Sequence, residues 1–122
     1  MKPPVEHVRV SAKSKEILIR VKRYTGLEHW NEICRVALCK SLSNPTPPQK
    51  SGNSSESAID IEWKTFSGLY NEELSALFYL RAHYDGVNLI EKDEITNYFK
   101  SHLERGISSM QNVKSLFQLF ER

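Results

Sequence analysis

The segment from Glu28 to Leu42 constrains the fold most strongly, because its apolar residues cover nearly the whole circumference of a predicted helix. These residues are Trp30, Ile33, Cys34, Val36, Ala37, Leu38 and Leu42. A helix with this pattern must be buried on almost every side. A unit of about 40 residues has too little surface to bury it alone. We therefore expect either self-association or coverage by the rest of the chain.

The residues before this helix predict a short strand and a basic helix. Apolar and polar residues alternate over residues 7–11, which indicates a strand. Ser11 is a suitable N-cap for a helix that ends near Tyr24, and Gly26 suits its C-terminus. Residues 1–42 thus resemble a ribbon-helix-helix unit, in which strands of two chains pair and enter the DNA major groove. The sequence leaves open whether this strand pairs between chains or with residues 59–64 of its own chain.

The charges are distributed unevenly between the two halves of the chain. The net charge of the whole chain is +2, but residues 1–50 hold ten Lys or Arg and four Asp or Glu, a net of +6. Residues 51–122 hold seven and eleven, a net of −4. This asymmetry predicts a local anion-binding surface on the N-terminal half; the alternative is an ordinary solvated helix face. The residues we expect to bind nucleic acid are Arg9, Lys13, Lys15, Arg20, Lys22 and Arg23.

The C-terminal half predicts a second strand and about three helices. Residues 43–58 are rich in Pro and Ser and are expected to form a flexible loop. Residues 59–122 are expected to form a short strand and an acidic helical part, in which one helix stops at Gly106 and the last begins at Ser108. Helical spacing predicts an apolar side for the first of these helices and another for the last: Leu74, Leu77, Phe78, Leu80 and Tyr84, and Met110, Val113, Phe117 and Phe120. We therefore predict a single domain, 1–122, of mainly α class. In it the ribbon-helix-helix-like basic unit, 1–42, packs against the C-terminal helices.

The sequence contains no recognisable catalytic or metal-binding motif, and we expect neither a cofactor nor a metal. Cys34 and Cys39 point to different sides of their helix, so we expect two reduced cysteines that pack as small apolar residues. The sequence has no apolar run of the roughly 20 residues that span a bilayer, and because its first residues lack an apolar stretch we expect no signal peptide. We therefore expect a cytoplasmic protein without a membrane association.

The order of particular residues resembles one family, the DNA sulfur modification protein DndE of the DNA phosphorothioation system. The segments that carry this resemblance are Arg9-Val10-Ser11, Tyr24-Thr25-Gly26-Leu27, Trp30-Asn31-Glu32-Ile33-Cys34-Arg35-Val36-Ala37-Leu38-Cys39, Ser41-Leu42, Trp63-Lys64-Thr65-Phe66-Ser67-Gly68 and His102-Leu103-Glu104-Arg105-Gly106-Ile107. They span about residues 8 to 110.

The resemblance implies a DNA-binding component that assists the replacement of a phosphate oxygen by sulfur. It implies a preference for nicked duplex and a homo-oligomer, a dimer or tetramer. The implied partners are a cysteine desulfurase, an iron-sulfur enzyme and an ATPase, which would carry out the sulfur chemistry. A DNA-nicking endonuclease with unknown catalytic residues, a ribbon-helix-helix transcription regulator and a protein adaptor are the alternatives.

Overall fold

A computed structural model describes residues 1–50 and 57–121, which form helices and a short two-stranded sheet. In chain order the elements are β1 (His7–Ser11), α1 (Ala12–Thr25), α2 (Trp30–Ser43), β2 (Ser57–Glu62), α3 (Trp63–Ser67), α4 (Asn71–Tyr84), α5 (Lys92–Ser108) and α6 (Leu116–Leu119). A 3₁₀ turn, Gly68–Tyr70, joins α3 to α4. The predicted mainly α fold class is confirmed.

The strand β1 pairs antiparallel with β2 of the same chain, with Arg9 directly opposite Asp60. The structure therefore realises the second of the two pairings that the sequence left open, the one with residues 59–64. Val8 and Val10 point into the core, as their alternation predicts. We call the pair of strands β1 and β2 the ribbon. Its outer face consequently combines polar side chains from both strands of one chain.

The helix α2 lies at the centre of the fold, where α5 packs along it and α1 and α3 contact it. Its residues Ile33, Cys34, Ala37 and Leu38 are buried in the hydrophobic core. The rest of the chain therefore covers this helix, which is one of the two outcomes that its apolar circumference predicts.

Gly106 does not end α5, so the predicted helix stop is wrong. The helix continues to Ser108, and Gly106 is buried in it. A Cβ atom at this position would lie 1.9 Å from the carbonyl oxygen of Ala37. Glycine is therefore required for the close approach of α5 to α2 rather than for a left-handed C-cap.

The predicted last helix, which begins at Ser108, is also wrong. The chain turns after α5, and the short α6 starts later, with the Ser115 hydroxyl accepting a hydrogen bond from the Gln118 amide at 3.1 Å. Phe117 and Phe120 were expected on a buried side, but both are exposed. A four-residue helix has no continuous apolar stripe that could bury them together.

The helix α4 has apolar side chains on two sides, and the core buries one of them. Leu74 and Phe78 are buried as predicted. Leu77, Leu80 and Tyr84, expected on the same apolar side, are 52%, 61% and 84% exposed. Their spacing of three and four residues places them on one outer stripe of α4.

The loop predicted at residues 43–58 lies partly outside the described residues, which omit 51–56. The start of this loop is held by the C-terminal half. The Thr46 carbonyl accepts hydrogen bonds from Arg81 at 2.9 Å and from Arg105 at 2.6 Å. The chain leaving α2 is therefore tied to both α4 and α5.

Candidate nucleic-acid interface

Three of the six predicted DNA-binding residues lie together on the outer face of α1. Lys13, Arg20 and Arg23 are exposed, and at about 100° per residue they fall within about 80° of the helical circle. We call these three residues the basic stripe. Glu16 lies among them, so three cations and one carboxylate give this face a net charge of +2. The opposite face of the helix is buried in the core.

Local signals fix both ends of α1 and so position the basic stripe. The Ser14 amide donates to the Ser11 hydroxyl at 3.2 Å, which makes Ser11 the N-cap. Gly26 adopts a φ of 79°, and its amide donates to the Lys22 carbonyl, which closes the C-terminus. The predicted boundaries of this helix are confirmed, and the Ser11 hydroxyl is occupied by capping.

Lys15 and Lys22 lie apart from the basic stripe, along the other flank of α1, and both are half-buried. The Lys22 ammonium lies 4.6 Å from the ring centroid of Trp30. This cation–π contact ties the end of α1 to the start of α2. These two lysines therefore form a second, less accessible edge of the basic helix.

Arg9 is exposed, but its charge is partly neutralised by a residue that the sequence reasoning missed. Arg9 Nε donates to Asp60 Oδ2 at 3.2 Å, and His7 Nδ1 lies 2.8 Å from Asp60 Oδ1. The hydrogen bond from His7, assisted by Arg9, lowers the pKa of the Asp60 carboxyl. The carboxylate therefore persists on the outer face of the ribbon, where it opposes an approaching phosphate.

The start of α2 is a poor phosphate site, because an acidic side chain occupies it. The His29 backbone amide donates to Glu32 Oε1 at 3.2 Å. A carboxylate at this end satisfies amide groups and repels anions. The basic stripe therefore offers a phosphate a better surface than this helix end does.

Comparisons with known proteins place this chain in a family. The sequence matches the family model of the DNA sulphur modification protein DndE over residues 7–118, which is most of the chain. The chain belongs to the DndE family. The resemblance expected from the sequence is thereby confirmed. The curated proteins contain no match to the chain.

The fold of this DndE family member is similar to a solved structure. That structure is the crystal structure of DndE from Escherichia coli B7A, a protein involved in DNA phosphorothioation modification. The TM-score is 0.64, and the match covers 86% of this chain and 95% of that chain. At 18% sequence identity, the similarity shows a shared fold alone.

A second group of cations in this DndE family member lies inside the fold and donates hydrogen bonds to backbone carbonyls. Arg105 donates to the Ser41 hydroxyl and carbonyl, both at 2.8 Å, and to Thr46. Arg81 donates to the carbonyls of Leu42 and Thr46 at 2.9 Å. We call Arg81 and Arg105 the arginine clamp. Their donors satisfy carbonyls at the C-terminus of α2, where the helix dipole favours positive charge.

His102 lies beside the arginine clamp and is fully buried. Its Nδ1 lies 2.8 Å from the Ser41 hydroxyl. Burial and the charges of Arg81 and Arg105 lower the pKa of His102 to about 4. The imidazole is therefore neutral at pH 7 and completes a structural network rather than a proton-transfer site.

The two cysteines differ in their surroundings. Cys34 is buried, and burial together with the Glu104 carboxylate raises the pKa of its thiol to about 12. Glu104 itself accepts a hydrogen bond from the Ser14 hydroxyl. Cys39 is exposed, so the expectation that both cysteines are packed is wrong for Cys39. Its side of α2 faces a surface groove toward α4 instead of the core.

Two features are absent from the part of the chain that the structure describes. No group of three or more His, Cys, Asp or Glu residues is arranged to hold a metal ion. No helix there combines the length and the apolar character needed to cross a membrane.

Proposed function

We propose that this chain is a DNA-binding component of the DNA phosphorothioation machinery and that it binds duplex DNA through the basic surface of α1. Its membership of the DndE family and the involvement of the E. coli relative in phosphorothioation support the pathway. The basic stripe supports DNA as the ligand. We further propose that it acts in the cytoplasm, in contact with DNA.

The observation that carries this proposal is the difference between two groups of cations. One group donates hydrogen bonds to backbone carbonyls, and the other faces solvent. Lys13, Arg20 and Arg23 are exposed side by side on one helix face. Lys and Arg at such spacing contact phosphates along a backbone without reading base edges. Binding should therefore be independent of sequence and should weaken steeply with salt. We propose Arg9 on β1, and Lys15 and Lys22 on the other flank of α1, as secondary contacts.

A preference for nicked duplex follows from the mechanics of DNA. The basic stripe lies on one helix of 14 residues, and we propose that phosphate contacts beyond it require the DNA to bend toward the protein. A broken strand bends at lower cost than an intact one, because one stack of bases is interrupted. The nicked site therefore gains additional phosphate contacts for a smaller deformation energy.

Binding titrations with two fluorescent duplexes of equal sequence, one intact and one nicked, test the proposal. The neutralised variant Lys13→Gln/Arg20→Gln/Arg23→Gln should bind both duplexes at least about tenfold more weakly at physiological salt. The matched control, Lys64→Gln/Lys92→Gln/Lys114→Gln, removes the same charge from the C-terminal half. The control should bind like the wild type.

Equal loss of affinity in both triple variants would show that only total charge matters and would refute a specific surface on α1. Equal affinity of the wild type for the nicked and intact duplexes would remove the nick preference alone. No binding of either duplex would overturn the proposed function as a whole.

We also propose that the chain forms a homo-oligomer through α4, so that several basic stripes act on one duplex. The exposed residues Leu77, Leu80 and Tyr84 form an apolar stripe that water disfavours. A symmetric contact between two such stripes buries both and repeats the charge of each α1. The variant Leu77→Lys/Leu80→Lys should lower the mass measured by light scattering and weaken DNA binding. An unchanged mass would refute this interface.

The remaining partners in the proposal are the ATPase, the iron-sulfur enzyme and the cysteine desulfurase of the same system. We propose that the sulfur chemistry belongs to them, and the raised pKa of both the Cys34 and the Cys39 thiol, caused by burial, supports this division. The acidic residues of the C-terminal half are available for contacts with these partners. Pull-down of each partner by the wild type and by the α1 triple variant would separate partner binding from DNA binding.

A further inference from the structure

A cavity of about 460 Å³ lies between the free edge of β1 and the first half of α5. We call it the edge pocket. Its floor is apolar, formed by Val5, Val10 and Phe99, and its rim is polar. The rim residues are His7, Arg9, Ser11, Ser57, Thr96, Asn97 and Lys100. The volume falls within the range of about 300–1,000 Å³ that is typical of small-ligand sites.

The edge pocket differs in charge from two other cavities formed by the described residues. The groove between α2 and α4 and the cavity beside Trp30 each have three carboxylate residues in their lining. Within residues 1–50 and 57–121, the edge pocket is lined by His7, Arg9 and Lys100 and by no Asp or Glu. Asp60, which lies outside this lining, pairs with His7 and Arg9 and offsets part of their charge, but the lining itself still favours an anion over a cation.

The backbone of β1 adds hydrogen-bond donors to this pocket. The Trp63 amide donates to the Glu6 carbonyl at 2.9 Å, so Glu6 belongs to the set of residues that bond toward β2. In an antiparallel ladder these sets alternate, and the amides of His7 and Arg9 therefore point to the opposite edge. That edge is the wall of the pocket.

The Arg9 side chain can serve the pocket while it remains paired. Arg9 contacts Asp60 through Nε, the inner nitrogen of its guanidinium group, at 3.2 Å. This contact leaves the two terminal amino groups outside the pair with Asp60. A phosphate that meets these groups, Lys100 and the edge amides would be held by charge-assisted hydrogen bonds.

We propose that the edge pocket receives the terminal phosphate and nucleotide at a broken end of a DNA strand. The inference rests on the proposed function and deepens it, because Arg9 belongs to both surfaces. An internal phosphate of a duplex has neighbours on both sides, so we expect a concave site to favour a terminal nucleotide. A terminal nucleotide has one neighbour, and its base can lie on the apolar floor while its phosphate meets the rim.

Three nicked duplexes of the same sequence test this inference: one with a 5′-phosphate at the nick, one with a 3′-phosphate, and one with hydroxyl groups on both ends. The wild type should bind at least one phosphorylated nick about threefold more tightly than the hydroxyl nick. Lys100→Gln should reduce this ratio to about one, and so should Asn97→Tyr, which fills the pocket from an exposed position. Lys92→Gln, a charge removal on the same helix outside the pocket, should keep the ratio.

The outcomes separate the two proposals. Equal binding of all three nicked duplexes by the wild type overturns the edge-pocket inference and leaves DNA binding intact. No binding of any duplex overturns the proposed function and the inference together. An unchanged ratio in both pocket variants also overturns the inference.

Two further measurements distinguish other occupants of the same pocket. Deoxyadenosine 5′-monophosphate should displace a phosphorylated nicked duplex only at about a hundredfold higher concentration than unlabelled duplex does, because it lacks the α1 contacts. Displacement at equal concentration would assign the pocket to free nucleotides and contradict the proposal. A changed mass of the pocket variants in light scattering, with an unchanged phosphate ratio, would indicate strand addition at the β1 edge instead.

Discussion

The basic stripe and the arginine clamp contain the same kind of charge and differ in what their donors contact. The three cations of the stripe face solvent on α1. The clamp residues Arg81 and Arg105 donate to carbonyls at Ser41, Leu42 and Thr46. Cations whose donors are satisfied by the chain's own backbone hold the fold together, whereas cations with free donors are available to a ligand. The groups that each side chain reaches in the fold, rather than the residue type, decide between the two roles.

The largest expected effect comes from reversing the charge of the basic stripe. Lys13→Glu/Arg20→Glu/Arg23→Glu replaces attraction to phosphate by repulsion, and duplex affinity should fall about a hundredfold or more at physiological salt. The thermal midpoint should remain close to that of the wild type, because exposed helix positions contribute little to stability. Anisotropy titration and thermal denaturation measure the two quantities. A large fall in stability would show that the stripe also serves the fold.

Substitutions in the arginine clamp should have the opposite pattern of effects: a loss of stability with no change in DNA affinity. Arg105→Met leaves the carbonyls of Ser41 and Thr46 without this donor and should cost about 3 kcal/mol in the free energy of unfolding. Urea denaturation measures this loss, and DNA affinity of the folded variant should be unchanged. Arg23→Met, the same chemical change on the stripe, is the control and should alter stability by about 0.5 kcal/mol or less. Equal effects of the two variants would erase the distinction between the regions.

The buried histidine beside the clamp should make stability depend on pH. The pKa of His102 is lowered to about 4 from 6.5, so the unfolded chain binds a proton that the folded chain excludes. The stabilisation is therefore complete above pH 6.5 and is lost as the pH falls toward 4, by at most about 3 kcal/mol. His102→Gln should lose less stability over this interval in urea titrations. Parallel profiles for the two proteins would contradict a neutral buried imidazole.

The smallest expected effect concerns the carboxylate on the ribbon. Asp60→Asn removes the negative charge that pairs with His7 and Arg9, and duplex affinity should rise about threefold. Glu73→Gln on α4 removes an equal charge away from the basic surface and should leave affinity unchanged. An unchanged affinity of the Asp60 variant would exclude Arg9 from the DNA interface and confine binding to α1.

The sequence predicted those features that depend on neighbouring residues. Ser11 and Gly26 mark the ends of α1 because a cap and a positive φ are local requirements. Gly106 was misjudged because its role depends on a contact with Ala37, which lies far away in sequence. The same residue type thus ends one helix and lets another helix pass close to its neighbour.

The candidate site was predicted in part for the same reason. The basic residues of α1 are visible in the sequence, but the Asp60 carboxylate reaches Arg9 only through the register of β1 on β2. The arginine clamp left no local signal either, because its acceptors are backbone carbonyls of a distant helix end. Periodicity could not predict which of the two apolar sides of α4 the core buries, because the residues on both sides have helical spacing.

The dependence of duplex affinity on salt tests the central claim most directly. A plot of the logarithm of affinity against the logarithm of salt concentration should have a slope steeper than about −2 for the wild type, because each neutralised phosphate contributes about −0.9. The Lys13→Gln/Arg20→Gln/Arg23→Gln variant should have a clearly shallower slope. A flat plot for the wild type, or the same slope for both proteins, would contradict the account.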